Sequence, residues 1–203
     1  MSSNLGLEVE RYELGRYAPA GYYVDLHIRF ASPMIVLADF PKAWMDHYTE
    51  QAYALRDPIV GWGYSTTGTS RWSEIGIPDP FNILGQAAEH GLKYGVAIST
   101  GELKSRTIGS LARSDREYTD AEIHEIEVFI NKLHQTTEPP DSLTAAQAEA
   151  LRLIADGNRH GVAAKKLNIS QSALKARLTA ARNKLLARTT AEAIQRAKEY
   201  RLL

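Results

Sequence analysis

Two adjacent prolines, Pro139 and Pro140, sit in the segment HQTTEPPDSLT (134–144) and constrain this chain more than any other feature. Proline lacks the backbone N–H and clashes with the preceding turn, so no helix or strand runs through the pair. The segment reads as a linker, 137–142, between a domain at 1–136 and a second at 143–203. The charge changes sign at the same place. Residues 142–203 hold 12 Lys+Arg against 4 Asp+Glu; the whole chain holds 24 of each, so residues 1–141 hold 12 against 20, giving +8 and −8. Such asymmetry points to a basic half that meets a polyanion, or to two domains that attract one another.

Several function classes drop out at once. The chain has no cysteine, which removes disulfides, thiolate metal sites and cysteine nucleophiles. No apolar run has membrane-spanning length, and the opening MSSNLGLEVERYE lacks a signal-peptide core. A cytoplasmic protein with no membrane partner is expected. The six histidines are scattered, with no H-x-x-x-H pair, and there is no G-x-S-x-G elbow. Neither an enzyme nor a metal or cofactor site is expected.

The first half mixes strand and helix signals. YYVDLHIRF (22–30) alternates apolar and polar residues and reads as a strand, as do MIVL, VAIS and TIGSLA. PKAWMDHYTEQAYAL reads as a helix opened by Pro41, with Trp44, Tyr48 and Leu55 near one face. DPFNILGQAAEHG reads as a helix closed by Gly91. In YTDAEIHEIEVFINKLH, Ile123, Ile126, Ile130 and Leu133 recur at helical steps. The expected class is α+β, an α/β/α sandwich followed by a small all-α domain.

That second domain reads as four helices. Thr144 caps the first and Gly157 stops it; GVAAKKL follows; Ser170 caps SQSALKARLTAARNKLL; TAEAIQRAKEYRLL is last. In the third, Lys175, Arg177, Arg182 and Lys184 fall within ten residues with no acid among them. Leu174, Leu178 and Leu185 form its apolar stripe, and Ala163 and Ala164 are small where two helices must cross closely. Two short helices joined by a few residues, the second basic, describe a helix-turn-helix. Its all-cationic helix becomes favourable beside phosphates, where each contact releases counterions.

LTAAQAEALRLIADG, AAKKLNIS, LKARLTAARNKL and TAEAIQRAKEYRLL together resemble the C-terminal helix-turn-helix of the LuxR type. Departures from that pattern are Val162, Ala173-Leu174 and Arg177, where the family usually has glutamate, threonine-valine and histidine. The resemblance implies that Lys175, Ala176 and Thr179 face base edges of double-stranded DNA. Arg177, Arg182 and Lys184 would contact phosphates, and Ser170, Gln171 and Ser172 would offer hydroxyls and a helix N-terminus.

The first domain resembles the acyl-homoserine-lactone-binding domain attached to such helices. Trp44, Tyr48, Asp57, Pro58, Trp72 and Gly95 stand at that family's spacing. The resemblance implies that the Trp44 indole donates to a lactone carbonyl and Asp57 accepts from the amide N–H. Tyr48 and Trp72 would wall the ring and chain, while Pro58 fixes the backbone after Asp57. Phe40 stands where a tyrosine is common, and the hydroxyl position on the acyl side falls near Ser110 or Leu111. The expected function is a transcriptional regulator of quorum-sensing type whose DNA binding responds to an N-acyl-homoserine lactone. A homodimer is expected, through the last helix or through the one preceding the linker. The alternative keeps the fold and drops the lactone: an orphan regulator or antagonist that binds DNA constitutively or forms heterodimers.

Overall fold

The computed structural model describes residues 2–29, 32–138, 143–200 and 202–203, of which 2–6 by backbone alone. The chain divides into two compact units, Met1–Glu138 and Pro139–Leu203.

The first unit is built on a five-stranded antiparallel sheet of order β2-β1-β5-β4-β3. Its strands are β1 (Gly21–Ile28), β2 (Ile35–Ala38), β3 (Gly68–Arg71), β4 (Tyr94–Thr100) and β5 (Arg106–Arg113). Because successive side chains of a strand point to opposite faces, each strand feeds two cores. Tyr22, Val24 and Leu26 of β1, Val96 and Ile98 of β4 and Leu111 of β5 pack beneath α1 (Ser2–Tyr17) and α5 (Asp120–Thr137). The buried stripe of α5 is Ile126, Ile130 and Leu133, three of the four positions the periodicity selects. Thr119 starts that helix with a reciprocal cap to Glu122.

The opposite face receives α2 (Lys42–Glu50), α3 (Pro58–Ser65) and α4 (Ile83–Glu89), which bury Trp44, Ile59, Trp62 and Ile83 against Ala97 and Ala112. Small residues on this face let aromatic rings lie close to the sheet. The helix expected to reach Leu55 ends at Glu50. Ala52 adopts φ +51, a short 3-10 turn follows over Tyr53–Leu55, and Tyr53 takes the buried place. Leu55 is 88% exposed, so it does not share a face with Trp44 and Tyr48. Three elements carry no clear sequence signal: α1, α3 and β3. The α3 segment PIVGWGYS contains two glycines, which read as breakers. Gly63 is required there because a Cβ would approach Ile108 Cγ2 to 2.7 Å.

The second unit holds α6 (Ala145–Ala155), α7 (His160–Lys166), α8 (Gln171–Lys184) and α9 (Thr190–Glu199). Thr144 and Ser170 cap α6 and α8 as expected, and Gly157 takes φ +81 just beyond α6. Ala163 and Ala164 of α7 meet Leu174, Leu178, Ala181 and Leu185 of α8 in one core. Asn168, at φ +52, turns the chain between these two helices; asparagine tolerates that region better than most residues. Ala193 and Ala197 of α9 are buried in the same core. Both helices expected to offer a dimer surface thus spend their apolar stripes inside their own units. Expected strand residue Phe30 and the proline pair of the expected linker lie outside the described residues.

Candidate functional site

Pro41 precedes α2 and sets its start, and Trp44, one turn in, is only 3% exposed. Tyr48 follows one turn later on the same face, its ring 5.6 Å from that of Trp44 in an edge-to-face arrangement. Tyr53 closes the group from the 3-10 turn, 6.3 Å from Trp44 and 5.8 Å from Tyr48. Gln86 of α4 pins this layer, accepting from the Tyr53 hydroxyl at 2.9 Å and bonding His47 Nε2 at 2.8 Å.

Asp57 joins that layer from the next element. It is the N-cap of α3, where Oδ1 accepts from the Ile59 N–H at 2.7 Å and Pro58 occupies the first helical position. The other oxygen, Oδ2, accepts from the Tyr48 hydroxyl at 2.7 Å. Burial pushes the Asp57 carboxyl above the ordinary carboxylate range, and the bonds from Tyr48 and the α3 backbone oppose that push. Burial also raises the Tyr48 phenol, with the neighbouring Asp57 charge adding to it. The structure therefore joins Trp44, Tyr48, Asp57 and Pro58 in one environment.

Trp72 follows β3 in a 3-10 turn and is 8% exposed. Its indole lies flat on β4 over Gly95: a Cβ there would fall 2.1 Å from Trp72 Cε2. Gly95 is thus explained by ring clearance rather than backbone freedom. The Trp72 Nε1 donor is buried and has no hydrogen-bond partner among the described residues. Phe40 packs against the same core and stacks on Tyr23, with centroids 6.3 Å apart. Ser110 is directly opposite Tyr23 on β1 and Ala97 on β4. Leu111 belongs to the core under α1 and α5. The alternation of β5 therefore puts Ser110, not Leu111, on the Trp44 side.

Two surface hollows, of about 260 and 240 Å³, open on the other side of the sheet, one beside Glu127 and Asn131, the other beside Tyr17 and Glu122. Residues not singled out from the sequence also face the layer: Tyr23, Tyr53 and Asp25. The period-two pattern of β1 puts Tyr23 and Asp25 together, but it marks their face as outward; only the α2–α4 layer makes it inward.

In the second unit, α8 turns Leu174, Leu178 and Ala181 inward, and Leu185, its C-cap, joins the same core. Lys175 and Arg182, two turns apart, stand on one flank of that stripe, and Arg177 and Lys184, likewise two turns apart, on the other. Between the flanks, Ser172, Ala176 and Thr179 form an exposed crest. Ser170 is spent on capping, its Oγ accepting from Ala173 N at 3.1 Å and lying 2.8 Å from Ser172 Oγ. Gln171 is exposed at the helix start. Arg182 donates to Thr179 Oγ1 at 3.3 Å.

The fold and its aromatic layer define an α+β domain whose antiparallel sheet is covered on both faces. A family described as the autoinducer binding domain matches residues 17–137, more than half of the chain, and the chain belongs to it. It is similar to the HTH-type quorum-sensing regulator RhlR of Pseudomonas aeruginosa, 28% identical over 180 residues, 81% of this chain and 73% of that protein. The transcriptional activator protein VanR of Vibrio anguillarum is 26% identical over 182 residues, 82% of this chain and 76% of its own. In fold it is similar to SdiA in complex with octanoyl-rac-glycerol, with TM-score 0.53, 19% identity, and 95% of this chain and 88% of that one covered. Among the described residues, no helix is long and apolar enough to cross a membrane.

Proposed function

We propose that this chain is a ligand-responsive DNA-binding regulator, with a sensor domain at 1–136, a linker at 137–142 and a helix-turn-helix domain at 143–203. Its sensor binds an N-acyl-homoserine lactone. The observation that carries this reading is the convergence of Trp44, Tyr48 and Asp57 on one buried layer, where a carboxylate and an indole share an apolar setting. A carboxylate there is a strong acceptor for an amide N–H, a bond contributing about 1.5–3 kcal/mol. Trp72, with its unmatched buried N–H, supplies a further donor and a flat wall. Ligand entry separates rings that are packed together here, and the lactone amide shares Asp57 with Tyr48.

Two features of the second unit support DNA binding. The crest of α8 is narrow and uncharged, with cations on both flanks. That is the distribution needed by a helix lying in a groove with a phosphate backbone on either side. Similarity to RhlR, an HTH-type regulator by its name, covers 81% of this chain and so runs beyond the sensor. A homodimer would present two such helices to successive major-groove faces. Its interface lies outside the apolar stripes of α5 and α9, which are already buried.

The second reading, a regulator or antagonist that works without a lactone, draws on Phe40. Where a hydroxyl could meet a ligand carbonyl, a ring instead stacks on Tyr23. Native mass spectrometry of the full chain with lactones of several acyl lengths tests the two. A bound lactone lost in Asp57→Asn supports the first; retention of DNA binding with no lactone bound at any length supports the second.

A further inference from the structure

Asp25 lies on the sheet face covered by α2–α4, two residues along β1 from Tyr23. It pairs in register with Ile108 of β5 and Val36 of β2. Its Oδ1 is buried and has no hydrogen-bond partner among the described residues. Burial pushes this carboxyl up to about 6. The Asp25 charge also raises the phenols of Tyr23 and Tyr48, two rings of the site, and of the exposed Tyr64. Tyr48 is the same residue that donates to Asp57. A buried acceptor without a donor is destabilising, and more so when charged. The fold carries that cost beside a ligand site, in a row where an alkyl chain would find leucine or valine more favourable.

The direction of the site assigns the role. Asp57 and Trp44 take the polar head of the ligand. Ser110 lies opposite Tyr23, and the next inward position of that strand pair is Asp25 with Ile108. A chain that runs from the head past Ser110 therefore meets Asp25.

We infer that Asp25 is a specificity-determining residue: it accepts a hydrogen bond from a hydroxyl carried on the acyl chain, so that the site favours a hydroxylated chain over a plain alkyl one. This rests on the lactone reading above.

Isothermal calorimetry on the 203-residue chain tests it, with pairs of N-acyl-homoserine lactones of equal length, one bearing a chain hydroxyl at the third carbon or farther and one unsubstituted. Wild type should bind the hydroxylated member about tenfold more tightly. Asp25→Leu should reverse the order, and Asp25→Asn, which still accepts but carries no charge, should keep a reduced preference. Should Asp25→Leu fail to fold, a fall in the ratio for Asp25→Asn reads the same effect. Equal affinities in wild type, or a ratio that neither substitution changes, overturn the inference and leave the lactone reading standing. Binding of no lactone by wild type overturns both.

Discussion

Tyr48 donates to Asp57 Oδ2 across 2.7 Å, while the other Asp57 oxygen holds the first turn of α3 through Ile59 N at 2.7 Å. One carboxylate thus ties α2 to α3 and is also the acceptor proposed for the ligand. Substitutions separate the two tasks. Asp57→Asn keeps an N-cap acceptor, so the melting temperature should stay within a few degrees of wild type while lactone affinity falls at least about tenfold. Asp57→Ala loses the cap as well and should cost about 1 kcal/mol more in urea denaturation. Equal stability of the two variants would show that the cap contributes nothing.

Gly95→Ala should destabilise the sensor by about 1–3 kcal/mol, because the added methyl meets the Trp72 indole at 2.1 Å. Tryptophan emission should shift to the red as the displaced ring reaches water. Adding Trp72→Leu should recover part of the loss, and a double-mutant cycle measures the coupling. Strict additivity would remove ring clearance as the reason for the glycine.

A buried pair of histidines should govern the acid limb of stability. His27, fully buried at a bulge of β1 with φ +54, contacts Ser105 Oγ at 3.0 Å and Thr137 Oγ1 at 2.9 Å, and its ring centroid lies 4.5 Å from that of His134. Burial, with the neighbouring His134 and Arg29 adding to it, lowers His27 from 6.5 to about 4. The unfolded chain therefore binds the proton first as pH falls, and stability is lost between pH 6.5 and 4, by up to about 3 kcal/mol. Asp25 opposes this: its folded value is raised, so its ionisation lowers stability as pH rises from 3.8 through about 6. His27→Asn, which tolerates the left-handed backbone, should flatten the acid-side fall of the urea midpoint, leaving His134, which burial also lowers, opposed by Asp25. An unchanged slope would remove His27 from the account.

Lys175→Ala and Arg182→Ala should differ in kind on duplexes selected from a random pool. The first should narrow the gap between selected and scrambled sequences by about 1–3 kcal/mol. The second should weaken both alike and flatten the salt dependence by about one unit of slope. Gel shifts at several salt concentrations distinguish these outcomes; two variants behaving as wild type would dismiss α8 as the reading helix.

Periodicity alone located most of the elements. It finds β1, β2, β4 and β5, the stripe of α5 and all four helices of the second unit, three of which open on a side-chain cap at Thr144, Ser170 and Thr189. It gives no signal for α1, α3 and β3. Gly61 and Gly63 look like breakers, and only the tertiary contact of Ile108 explains Gly63; GTSR has no apolar alternation to read. Helical spacing continues past Glu50 in the sequence and puts Leu55 on the Trp44 face, whereas the chain turns at Ala52.

The sequence by itself determined the chemistry on offer: a tryptophan, tyrosine and aspartate at set intervals, a cation-only helix, and a proline pair where the charge reverses. Which of these residues meet was decided by tertiary structure alone. Tyr48 and Asp57 lie nine positions apart on different helices, and no local rule brings them to 2.7 Å. Asp25 makes the same point from a strand. Alternation fixes which face it takes, but only a second helical layer turns that face from solvent to interior, because burial depends on what the rest of the chain packs against it.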